Sequence, residues 1–140
     1  MANSFKIGEL DVLAVSDGSI SVPGTVYYAG TTPEQWEPHK RWLNHEGNVE
    51  FTLGCFLIGR YLISGDTLFP GGPGHSNSPD ELQQTIASIR ERLYTLPDDT
   101  IVLPGHGEGT TIGRSREEYA VYASRTHAAD LCGDVTWESA

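Results

Sequence analysis

Apolar residues alternate with polar ones at Phe5, Ile7, Val12 and Ala14, with a break at Gly8-Glu9. This period of two predicts a strand pair or one bulged strand over residues 5–15, ending in a turn at Ser16-Asp17-Gly18. Residues 19–48 hold Pro23, Pro33 and Pro38 among Tyr27, Tyr28, Trp36 and Trp42, a loop-rich stretch. Its one helix start is Thr32 as cap with Pro33 at the first helical position. Phe51 to Ile58 and Arg60 to Ser64 are apolar runs around Gly59-Arg60, which predicts two buried strands joined by a tight hairpin.

Residues 65–79, GDTLFPGGPGHSNSP, are too rich in Gly and Pro for regular structure and read as a loop leaving a strand end. Ser78 with Glu81 then forms a capping box with Pro79 at the first helical position. Leu82, Ile86, Ile89 and Leu93 recur at helical spacing, so this is the firmest helix of the chain. A turn at Pro97-Asp98-Asp99 precedes a short buried strand, Ile101 to Leu103, which runs into the glycine loop Pro104-Gly105-His106-Gly107. A second capping box, Ser115 with Glu118, predicts a helix to about Arg125.

Composition narrows the function classes. The 140 residues suit one domain, 1–140, with a loop-rich N-terminal segment, 1–50, and a C-terminal part, 51–140. Nine basic residues, scattered among 19 acidic ones, leave a formal charge of -10. Nucleic acid and anionic membrane are therefore not expected as partners, because polyanion binding needs clustered Lys and Arg. The longest apolar run, Leu53 to Ile58, is far shorter than the ~20 residues of a membrane helix. The opening MANSFKIGEL has no apolar core of a signal peptide, so the expected location is cytoplasmic. Cys55 and Cys132 show no Cys-x-x-Cys spacing and are expected as reduced, buried thiols.

Two segments share a pattern in which a short apolar strand ends in a Gly-flanked polar residue: LISGDTLF at Asp66 and IVLPGHGEGTTIG at His106. Strand ends are where open α/β sheets bind ligands, and carboxylate with imidazole suits zinc or iron. By spacing alone, a turn-capping Asp and a hydrogen-bonding loop His is the commoner outcome. His39, His45 and His127 read as solvated or hydrogen-bonding residues. His75, in the loop that starts at Asp66, is the best further ligand candidate. No Gly-x-Ser-x-Gly elbow or P-loop lysine is present, and Cys55 within an apolar strand should be inert.

Taken in order, GDTLFPGGPG, the capped helix, LPDDTIVLPGHGEGTTIG, EEYAVYASRTH and LCGDVTW resemble the C-terminal half of a metallo-β-lactamase-superfamily hydrolase of the glyoxalase II-like kind. IGELDVLAVSDGS, TTPEQWEPHKRWL and TLGCFL resemble the start of such proteins. The resemblance implies that Asp66 would bridge two metal ions and His106 would be a terminal ligand. It also implies zinc or iron as cofactor and an ester or thioester as small-molecule substrate. The family's His-x-His-x-Asp-His signature is not in this sequence, and FTLG stands where a Gly-His-Thr motif should fall. The chain resembles a family member with its middle removed.

The resulting expectation is an α/β protein with a reduced metallo-β-lactamase-like fold, a mixed sheet with two main helices packed on it. Its metal site is expected to be incomplete and its activity weak or nil, with a non-catalytic binding or assembly module as the alternative. Strands 51–58 and 61–64 are expected to keep an unpaired edge or an uncovered face. That points to a homo-oligomer, with the Trp36 and Trp42 segment as a candidate part of the contact.

Overall fold

The computed structural model describes residues 3–137. In chain order the elements are β1 (Asn3–Ile7), β2 (Leu10–Pro23), α1 (Gly24–Tyr27), α2 (Pro33–Trp36), a 3-10 segment (Glu37–Trp42), β3 (Asn48–Ile58), β4 (Tyr61–Gly65), β5 (Leu68–Phe69), β6 (Gly72–Pro73), α3 (Pro79–Ser88) running into a π-helical segment (Ile89–Leu93), β7 (Ile101–Pro104), β8 (Thr110–Thr111) and α4 (Ile112–Ala123). They group into two compact units, one of residues 17–53 and one of the residues on either side of them.

Six strands form a mixed sheet in the order β1-β2-β3-β4-β7-β8. The β3–β4 hairpin pairs Ile58 with Tyr61, so Gly59-Arg60 is the two-residue turn that the sequence predicts. β7 pairs in parallel with β4, and α3 fills the connection between them. This is the α/β class expected from the sequence: a mixed sheet with two main helices on it.

Side chains on one face of β3, β4 and β7 make the core: Cys55, Leu62 and Val102 cluster with Leu82, Ile86, Ile89 and Leu93 of α3 and its π-helical end, and with Ile112 and Tyr122 of α4. The four residues spaced as a helix stripe are all buried, so the period predicted from sequence is the one that packs. α3 starts as expected, with Ser78 Oγ accepting from the Glu81 N–H at 3.2 Å. The Glu81 carboxylate takes the Asn77 N–H at 2.7 Å, one residue earlier than a reciprocal capping box would.

Four expectations need correction. Strand β2 runs unbroken through residues 16–18, so the expected turn there does not form. The glycine-rich loop contains the short ribbon β5–β6. α4 is capped by Thr111, whose Oγ1 accepts from the Arg114 N–H at 3.2 Å. Ser115 instead lies buried inside that helix, where its Oγ is 2.9 Å from the Tyr94 hydroxyl. The earlier Thr wins because β8 delivers the chain in extended geometry at Thr111. Cys55 is buried, but Cys132 is exposed. Among the described residues no helix is long and apolar enough to cross a membrane.

Candidate functional site

The ends of β4 and β7 lie side by side, because the two strands pair in parallel with Ile63 opposite Leu103 and Gly65 opposite Pro104. Their next polar residues therefore emerge at the same edge. A register shift between Ile63 and Gly65 tips the chain out of the ladder, and the Thr67 N–H closes a turn on the Ser64 carbonyl at 3.1 Å. Asp66 sits in that turn. His106 follows Gly105, whose N–H donates to the Gly65 carbonyl at 2.8 Å.

His106 Nε2 lies 4.0 Å from Asp66 Oδ1, with both side chains about three-quarters exposed. The His106 ring rests on Phe69, centroids 4.8 Å apart. A pair this exposed adds little to stability, so stability does not explain why they meet. Asp66 is approached closely by two glycines, one against its backbone and one against its carboxylate. A Cβ on Gly105 would lie 2.5 Å from Asp66 Oδ1, and one on Gly74 would lie 1.9 Å from the Asp66 carbonyl oxygen.

Asp66 and His106 open onto a cavity of about 400 Å³. Its other walls come from the glycine-rich loop and from the C-terminal stretch around Asp134 to Thr136. That stretch is tied to the loop by a Ser76–Gly133 bridge and by the Trp137 N–H on the Gly71 carbonyl at 2.6 Å. On the loop's other side the Gly71 N–H donates to Glu118 Oε2 at 3.0 Å. Glu118, expected to cap α4, braces the cavity wall instead.

A second imidazole–carboxylate pair lines the same cavity: His75 Nδ1 is 2.9 Å from Asp134 Oδ1. In the neutral ring, a carboxylate at Nδ1 favours the tautomer with the proton on that nitrogen and Nε2 as the acceptor. His75 is thus in the cavity, as its loop suggested. Asp134 had no signal in the sequence, because it meets His75 across 59 residues.

The other histidines have structural settings. His39 lies beside Trp36 and His45 beside Glu46, both within the 17–53 unit. His127 stacks on Tyr122 at 3.8 Å, with Nε2 2.8 Å from the Tyr122 carbonyl, as expected of a hydrogen-bonding residue. Glu108 is exposed. Among the described residues, no three or more His, Cys, Asp or Glu side chains are grouped so as to hold a metal ion.

No protein-family model matches the chain. The chain is 38% identical over 79 residues to hydroxyacylglutathione hydrolase GloC of Haemophilus influenzae, covering 56% of this chain and 32% of that protein. It is 48% identical over 52 residues to a Bacillus subtilis protein named "Probable metallo-hydrolase YqgX", covering 36% of this chain and 25% of that one. The aligned stretch thus spans a third or less of either relative. Among solved structures, ETHE1 from Myxococcus xanthus superposes with a TM-score of 0.54 at 21% identity, over 89% of this chain and 44% of that one. This last likeness is one of fold.

Proposed function

Because the chain is a partial member of the metallo-β-lactamase superfamily, we propose that it is a hydrolase-derived protein that supplies only part of a divalent-metal centre. As an isolated chain it does not turn over esters or thioesters at an enzymatic rate. The observation that supports this reading is the donor count at the strand ends. A catalytic zinc needs three protein ligands and an open position. Asp66 and His106 are two donors, 4.0 Å apart, and no group of three is present among the described residues. These residues do not fit a complete metal centre, and no hydrolytic step is assigned to one.

Zinc or iron would be held weakly. A full structural zinc site is worth about 10–16 kcal/mol, so half a ligand set suggests roughly 5–8 kcal/mol, a Kd between about a tenth of a millimolar and about a micromolar. The test is metal titration by calorimetry alongside acyl-glutathione hydrolysis with zinc, iron or manganese supplied. The expected result is weak binding and no turnover above that of the metal salt. Turnover of about 1–1000 per second that is lost in both Asp66→Ala and His106→Ala would overturn the proposal. So would stoichiometric metal retained through dialysis.

A second reading, a non-catalytic binding module, is favoured by the cavity itself. Its walls include Phe69, Pro70, Pro73 and Val135 beside the His75–Asp134 pair, an apolar lining with a few oriented polar groups of the kind that holds small organic ligands. A non-hydrolysable S-alkyl glutathione should then raise the melting temperature of the metal-free protein, and His75→Ala should abolish the rise.

A further inference from the structure

Over β3, β4 and β7 the sheet is apolar on both faces, and the helices cover one; on the β1–β2 hairpin that covered side gives way to the exposed Lys6–Asp11 ion pair. Register fixes which residues share the other face. Phe5 pairs with Val12 and Ile7 with Leu10. Phe56 pairs with Ile63 and Ile58 with Tyr61. Tyr61 is opposite Ile101 and Ile63 opposite Leu103. Directly paired residues point to the same side, and the Phe5–Phe56 ring contact at 6.5 Å joins the β1–β2 hairpin to the β3–β4 hairpin on that side. Phe5, Ile7, Leu10, Phe56, Tyr61, Ile63 and Leu103 are each between 41% and 61% exposed, whereas Cys55, Leu62 and Val102 on the helix side are buried. No charged residue occupies the paired positions of the exposed face.

Seven such side chains of ~200 Å² each, about half exposed, present on the order of 700 Å² of apolar surface. That exceeds the largest patch of a typical monomer, about 300–600 Å². It also approaches the ~800 Å² that each partner buries in a stable interface.

We infer that this face is the interface of a two-fold homodimer, in which a second copy lays the same sheet face on it. The result is a four-layer helix, sheet, sheet, helix assembly. A second copy is the occupant that the surface fits. A second copy can match this surface because its paired positions are apolar and uncharged, and two twisted sheets pack face to face about 10 Å apart. The chain's charge of -10 opposes association, but physiological salt screens such repulsion beyond about 8 Å.

The test is sedimentation velocity of the full chain over a micromolar concentration series, with dye binding to exposed apolar surface in parallel. The expected result is a species of two chains, with Ile63→Lys and Leu10→Glu each raising the dimer dissociation constant by roughly a hundredfold and increasing dye binding. Far-ultraviolet circular dichroism should remain unchanged. Leu10, on the outer hairpin, keeps the test decisive should Ile63→Lys not fold. Val121→Glu, an exposed apolar side chain on α4, the helix packed on the other face, and Trp42→Glu, in the 17–53 unit, serve as controls, and both should leave the constant unchanged. A chain that stays monomeric, or a dimer that survives both face variants, would overturn the inference, as would a dimer broken by Trp42→Glu instead.

Discussion

At Asp66 two neighbouring glycines make opposite demands. Alanine at 74 would put a methyl group against the Asp66 backbone carbonyl, which cannot move without undoing the turn. Gly74→Ala should therefore destabilise the protein by about 1–3 kcal/mol, read from its urea midpoint. Alanine at 105 would press on the Asp66 carboxylate, the free end of an exposed side chain that can swing aside. Gly105→Ala should leave the urea midpoint nearly unchanged and weaken metal binding in calorimetry, because it displaces one of the two donors.

Tyr94 is a further residue whose setting sets a measurable property. Burial pushes its phenol up to about 12 from 10.0, with the Ser115 hydrogen bond working the other way. The folded protein keeps this proton while the unfolded chain releases it. The stability so gained is complete below about pH 10 and is lost as pH rises to about 12, by up to ~2 kcal/mol after allowing for solvent screening. Denaturation midpoints between about pH 9 and pH 11 should fall in the native protein, and Tyr94→Phe should flatten that slope.

Among the elements, the two main helices differ in how openly their starts are written. For α3 the cap, the proline and the apolar stripe agree, and Ser78→Ala should cost about 1 kcal/mol by thermal unfolding. For α4, Ser115-x-x-Glu118 has the form of a cap, but Thr111 holds the position and Ser115 is interior. Thr111→Ala should cost about 1 kcal/mol through the lost cap. Ser115→Ala acts by another route, since it removes the Oγ that lies 2.9 Å from the Tyr94 hydroxyl and keeps the Ser115 carbonyl, 3.0 Å away. A double-mutant cycle of Ser115→Ala with Tyr94→Phe should show coupling of about 0.5–1.5 kcal/mol, and Thr111→Ala with Tyr94→Phe should show none.

Over the whole molecule, the stretch ending at Trp137 closes the cavity and the core together. Trp137 is fully buried, edge-on to Tyr119 at 5.2 Å, and its backbone N–H anchors the Gly71 carbonyl. Trp137→Ala should cost about 3–5 kcal/mol, a large part of the stability of a domain this size, and should open the wall that carries Asp134. The check is its unfolding free energy together with loss of the small-molecule melting shift.

What the sequence by itself determined is whatever depends on neighbours in the chain. The period of Leu82, Ile86, Ile89 and Leu93, the Gly59-Arg60 turn and the two Gly-flanked residues at strand ends are all local patterns, and each forms as read. The parallel pairing of β4 with β7 then brings Asp66 and His106 to one edge, a meeting across 40 residues that only their motifs announced. Three things were decided by tertiary structure alone. The His75–Asp134 pair joins side chains whose spacing in sequence has no meaning until the C-terminal stretch folds back on the glycine loop. The choice of Thr111 over Ser115 depends on where β8 releases the chain. Over β3, β4 and β7 the face that the helices leave uncovered cannot be told from the covered one by alternation, because both are apolar there; it is set by which side α3 and α4 pack against.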